Sequence, residues 1–143
     1  MIIDSRLWLR SPEESSLAWV WPETAKTMFV ADTEGASLIP ELQLYYDSNN
    51  IMQFSAKNNY SCFANSNLLS ILQDASVEEV FVAGINTDYC VFATALDSYQ
   101  YKFRTFVVQD AVTSVGGKAA HEEGLRNLLK HMGDQVLVKT KDC

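Results

Sequence analysis

Cysteine, histidine and proline are scarce: three cysteines, two histidines and three prolines stand among 143 residues. Cys62, Cys90 and Cys143 are odd in number and irregularly spaced, a poor disulfide framework and no zinc pattern. His121 and His131 offer little material near a cysteine for a Cys/His/Asp protease triad. No apolar run approaches the roughly 18 residues of a bilayer span, so no membrane partner is expected. The start, Met1-Ile2-Ile3-Asp4-Ser5-Arg6, lacks the basic segment and long apolar stretch of a secretory leader. Reduced thiols in a cytoplasmic location are the simpler expectation. Basic residues are also few, 11 Lys+Arg against 18 Asp+Glu, for a net charge of −7. An acidic surface repels phosphate backbones, so nucleic acid is not an expected partner. What is present is a folding composition, 48% hydrophobic and 20% charged. It suits one domain over residues 1–143.

The second half has a clear rhythm. Residues 79–85 are a short apolar run rich in β-formers, predicting a strand buried on both faces. Thr87 can cap a helix over about residues 88–101, with Asp88 at its positive end. That helix carries Val91, Phe92, Ala93, Ala95, Leu96 and Tyr99 and should be largely buried. A strand over 103–108 follows. A helix over 118–131 comes next, with Ala119, Leu125, Leu128 and Leu129 on one face and its end near Gly133. A last short strand spans 135–139. The middle repeats the rhythm, with a strand over 51–56 and a helix over 62–75 that turns Phe63, Leu68, Leu69 and Leu72 inward. Residues 1–50 are less regular: a possible strand near Ile2 to Leu9, polar turns from Ser11 to Lys26, and a short helix over 38–44 with Pro40 near its start. Alternating strands and helices with short connections predict parallel βαβ units wound right-handed.

In an open parallel sheet, ligands bind beyond the carboxyl ends of the strands. Lys57 follows one predicted strand, and Cys90 lies in the first turn of the helix after another, which puts both at the same predicted edge. Unpaired backbone N–H groups and the positive helix end there favour a thiolate, and a nearby ammonium favours it further. Backbone N–H groups around Asn86 to Cys90 can hold an oxyanion. Against this stands the plainer reading of a cysteine packed at a helix start.

Residues 83–97, Ala-Gly-Ile-Asn-Thr-Asp-Tyr-Cys-Val-Phe-Ala-Thr-Ala-Leu-Asp, closely resemble the nucleophile segment of the isochorismatase-like cysteine hydrolases, which include nicotinamidases. Lys57-Asn58-Asn59-Tyr60-Ser61-Cys62-Phe63 is similar to the family's lysine segment. Ala31-Asp32-Thr33-Glu34-Gly35-Ala36 resembles its Gly-Thr-x-Gly-Ala segment, and Val107 to Ala111 the strand end after the nucleophile helix. The resemblance implies a three-layer α/β/α fold with a mainly parallel, Rossmann-like sheet. It also implies hydrolysis of a small-molecule amide through a thioester on Cys90, with Lys57 steadying the developing charge. A cis peptide between Ile85 and Asn86 would turn N–H groups toward the oxyanion. Phe63 is the candidate pocket residue; Trp19 and Trp21 are weighed between pocket and packing.

The pattern breaks at the start. The family's base is an aspartate ending its first strand. Asp4 takes that place only if a large segment is deleted before Gly35-Ala36. In the other alignment, Ser5-Arg6-Leu7-Trp8-Leu9 matches the family's Ser-Arg-Asp-Trp-His on the second strand, and the first strand and its aspartate are absent. Leu7 and Leu9 then replace metal ligands, so no metal of the nicotinamidase kind and no cofactor are expected. An absent central strand leaves edge groups that a second copy or another chain, a swapped segment or a rearranged N-terminus would cover, the alternative being that the sequence is a fragment of a longer protein. The alternative to an active hydrolase is a catalytically impaired pseudoenzyme or assembly subunit. A plain α/β ligand-binding module gives no reason for Lys57 and Cys90 to meet. Cys62, His121, His131 and Asp110 are expected in structural or solvated roles.

Overall fold

The computed structural model describes residues 1–27, 29–48, 51–53 and 57–143. The chain divides into two compact units, Met1–Ser66 and Asn67–Cys143.

In the first unit, β1 (Ile3–Asp4) pairs in parallel with β2 (Met52–Gln53), Ile3 opposite Met52. The chain past β1 stays extended. Trp8 N–H donates to Lys57 O (3.1 Å), while Leu9 N–H donates to Phe29 O (2.8 Å) and Leu9 O accepts from Ala31 N–H (2.7 Å). Leu7 and Leu9 alternate with Trp8 and are buried, as the period of two in an extended chain requires. The segment expected to be polar turns forms two short helices, α1 (Leu17–Val20) and α2 (Pro22–Thr27). Pro22 opens α2 at the position where a missing N–H costs nothing. Pro40 does the same for α3 (Pro40–Ser48). Of the predicted strand over 51–56, the part over 54–56 lies outside the described residues.

The second unit opens with α4 (Leu68–Asp74), which starts six residues later than predicted. Residues 62–67 form turns instead, in which Asn65 takes a left-handed φ of 54°. Cys62 and Phe63 are buried there nonetheless. Three parallel strands follow in the order β3 (Glu79–Ile85), β4 (Arg104–Thr113), β5 (Leu137–Val138). Between β3 and β4 runs a five-residue π-helical turn (Thr87–Val91), continued by α5 (Phe92–Gln100); α6 (Gly117–Met132) links β4 to β5. Gly133, at φ 83°, ends α6 as expected.

Val82, Val91, Ala95, Val107, Leu128 and Val136 form the centre of this unit's core. The buried stripe of the β3–β4 helix is Val91, Thr94, Ala95 and Ser98, a spacing of three, four and seven. Tyr99 is exposed on the other side, and on α6 Ala119 is exposed too, both against expectation. A correction of more consequence concerns β3. Its Val80 and Val82 face the core, but Phe81 and Ile85 are 46% and 58% exposed. Among the described residues the strand is therefore buried on one face only, and it ends the order β3-β4-β5. At the other end of the strands, where they begin, Arg104 pairs with Glu79 (2.8 Å). A hollow of about 260 Å³ opens beside it, with Phe103, Thr105 and Met132 in its wall.

Candidate active site

Asn86 is extended and follows Ile85 through a cis peptide bond. Its carbonyl accepts from Tyr89 N–H (3.2 Å) and Val91 N–H (3.0 Å), the second bond closing the wide π ring. Cys90 stands one residue before the end of that ring, a free thiol that is partly exposed. The π turn lets the chain carry Cys90 at the mouth of the sheet while Thr87 and Val91, at either end, stay buried.

Thr87 does not cap the helix through its side chain. It is fully buried, and its hydroxyl lies 2.9 Å from Nδ1 of His121 on α6. Asp88 accepts a hydrogen bond from the Ser114 hydroxyl at 2.6 Å, and Asn86 Oδ1 accepts from Val115 N–H at 2.9 Å. The sequence alone gives His121 only a solvated or structural helix role. The structure gives it a partner 34 positions away, which no local pattern signals. One N–H expected around an oxyanion, that of Tyr89, is already used by Asn86.

In the other unit Lys57 is 4% exposed, and its ammonium makes no hydrogen bond or ion pair among the described residues. Phe63 is 6% exposed, with its N–H held by Ser61 Oγ at 3.2 Å. A hollow of about 430 Å³ in this unit is walled by Leu17, Val20, Asn59 and Tyr60 and not by Phe63. Trp21 Nε1 donates to Tyr60 at its edge (3.2 Å), whereas Trp19 is 90% exposed, neither pocket nor core. The structure thus groups Ile85, Asn86 and Cys90 in one unit, and Lys57 and Phe63 in the other.

Asp4 is engaged elsewhere. Its Oδ1 accepts from Arg6 N–H (3.1 Å) and its Oδ2 lies 3.1 Å from Arg6 Nε, a half-buried ion pair without aligned hydrogen-bond geometry. Arg6 in turn donates to Ala36 O (3.1 Å) and lies over the Trp8 ring.

Residues 12–140 match the family model of the isochorismatase domain. The chain belongs to the isochorismatase family. It is 32% identical over 111 residues to the uncharacterized isochorismatase family protein PncA of Bacillus subtilis, covering 75% of this chain and 60% of that protein. Nicotinamidase 3 of Arabidopsis thaliana is 38% identical over 72 residues, 50% of this chain and 36% of the relative. The pyrazinamidase of Pyrococcus horikoshii, solved in complex with zinc, superposes with a TM-score of 0.72 at 26% identity, over 97% of this chain and 75% of that one. This isochorismatase-family chain therefore spans 60% and 36% of the two curated relatives' lengths. Its fold is the family's α/β architecture built on a parallel sheet. A metal of the kind that pyrazinamidase carries does not fit the residues here. Leu7 and Leu9, where the resemblance puts metal ligands, are buried hydrocarbon side chains with no donor atom.

Proposed function

We propose that this isochorismatase-family chain is a cysteine hydrolase that cleaves the C–N bond of a small amide, with Cys90 as nucleophile and Lys57 assisting. The observation that carries the reading is Cys90, partly exposed on a tethered turn directly beyond the carboxyl end of β3. The names of the relatives, a nicotinamidase and a pyrazinamidase, point to amides as the substrate class. Cys90 Sγ adds to the amide carbonyl, and the oxyanion is met by N–H groups at the start of the helical segment. The C–N bond then breaks, the departing nitrogen takes the proton given up by the thiol and leaves as ammonia, and a thioester remains. Water adds to the thioester, releasing the carboxylic acid and restoring the thiol. The Lys57 ammonium balances the negative charge on sulfur and oxygen. Phe63 contributes to the substrate pocket. Asp4 is bound to Arg6 and takes no part.

Ammonia release from nicotinamide, pyrazinamide and maleamate tests this. Cys90→Ala is expected to abolish turnover, and Lys57→Met to lower kcat by about 10²-fold or more, the scale of a lost electrostatic contact at a reacting centre. Folded wild-type protein that releases no ammonia from any small amide at high concentration would instead support the pseudoenzyme reading. Turnover that survives Cys90→Ala overturns the assignment of the nucleophile.

A further inference from the structure

We propose that α6 sets the position of the nucleophile turn through two positioning residues, His121 and Gly124. The inference rests on the reading of Cys90 as nucleophile and adds a determinant that lies more than 30 positions along the chain.

A single π ring has poorer internal geometry than an α-helix and is found only in short pieces. The Thr87–Val91 turn therefore depends on what surrounds it. On the α6 side, two contacts converge on adjacent residues. The buried Thr87 hydroxyl meets His121 Nδ1 at 2.9 Å. One helical turn later, Gly124 is buried with its Cα against the backbone of the same turn. A Cβ built there would stand 2.8 Å from both Asp88 N and Thr87 C. Neither neighbour is the end of a flexible side chain, so neither can yield. Glycine inside a helix is otherwise among the least favourable residues, and here it is the only one that lets α6 approach. Residues three apart share one face of a helix, so His121 and Gly124 act on the turn as one surface. From the segment leading into α6, Ser114 holds Asp88 and the N–H of Val115 holds Asn86. The backbone leading to Cys90 is thereby fixed in place before substrate arrives, which is what precise attack geometry requires. His121 uses Nδ1 on Thr87, and its role is to place the turn.

Four variants of the full chain test this: His121→Leu, His121→Asn, His121→Gln and Gly124→Ala. The first readout is amide hydrogen exchange of residues 87–91 in folded protein, with β4 as internal reference. The second is kcat and KM for the amide turned over. His121→Leu leaves the Thr87 hydroxyl buried without a partner, so exchange in the turn should rise about tenfold with β4 unchanged. We expect kcat to fall about 10- to 100-fold, with KM within about twofold. Gly124→Ala should do the same by steric displacement. His121→Asn places a polar atom near the position of Nδ1 and should restore most of both readouts. His121→Gln, which reaches further, should restore less. Unchanged exchange and kcat in a folded His121→Leu or Gly124→Ala protein would overturn the proposal. So would equal behaviour of the Asn, Gln and Leu variants. If His121→Leu does not fold, the Asn and Gln pair gives the same decision. If the wild type turns over no amide, the hydrolase reading fails, while the exchange comparison still tests the positioning.

Discussion

Ser98 is fully buried on α5, and its hydroxyl lies 2.8 Å from Thr105 Oγ1 at the start of β4. Thr105 Oγ1 is also 3.2 Å from the Phe103 carbonyl, which can only accept. One hydroxyl carries one proton, so Thr105 donates to Phe103 O and Ser98 donates to Thr105. Thr105→Val breaks the chain of donors and leaves Ser98 buried without an acceptor, a loss of about 1–3 kcal/mol. Adding Ser98→Ala removes the orphaned group and should return most of that stability. Urea unfolding of the two single variants and the double variant measures the coupling, and simple additivity of the two losses would show the bond to be absent. Thr87 poses the same problem at the site and solves it with His121 instead of a neighbouring hydroxyl.

Among the elements, β4 and the C-terminal turn are joined by one carboxylate. Asp110 Oδ1 accepts from both the N–H and the hydroxyl of Thr140, each at 2.9 Å. The Thr140 N–H, above all, holds the Asp110 carboxyl below its ordinary range. A group whose value is lowered by folding stabilises the structure while it is ionised. The contact is therefore complete above the ordinary carboxylate range and is lost as pH falls through the lowered value. Thr140 amide exchange should accelerate on acidification over that window, and Asp110→Asn should abolish the pH dependence. An exchange rate for Thr140 that follows only the intrinsic acid dependence would refute the link. The elements that the sequence made legible are those with a sustained pattern. The apolar run of β3 and the spacing of Leu125, Leu128 and Leu129 on α6 announced themselves, as did Pro40 and Gly133 at helix ends. The four residues of α1 and six of α2 are too short for a period to show. The π turn was read as plain helix because its one-residue widening leaves the apolar spacing almost unchanged. The Thr87 hydroxyl was assigned to a cap because local chemistry allowed it; only the tertiary approach of α6 decides otherwise. At the candidate site the types Cys90 and Lys57 were legible, while the tethering of the turn was not.

At the scale of the molecule, the 143 residues divide at Ser66 into two units, each with its own parallel strands. In the second unit Phe81 stacks on Phe106 with ring centres 5.0 Å apart, on the sheet face away from the core. Among the described residues Phe81 is on an end strand of its sheet, and it is half exposed. Edge strands with exposed apolar side chains promote association, and a lysine there blunts it. Phe81→Lys should raise the concentration at which light scattering first detects association, with little change in melting temperature, since the residue faces away from the core. A threshold that does not move would show that β3 takes no part. All three strands of this unit run the same way, so everything entering the sheet at Glu79, Arg104 and Leu137 sits on the rim opposite Cys90. The Arg104–Glu79 pair and the small hollow beside it belong to that far rim. A dye or a tether placed there stands a full strand length from Cys90, so the two rims of one sheet can be altered one at a time.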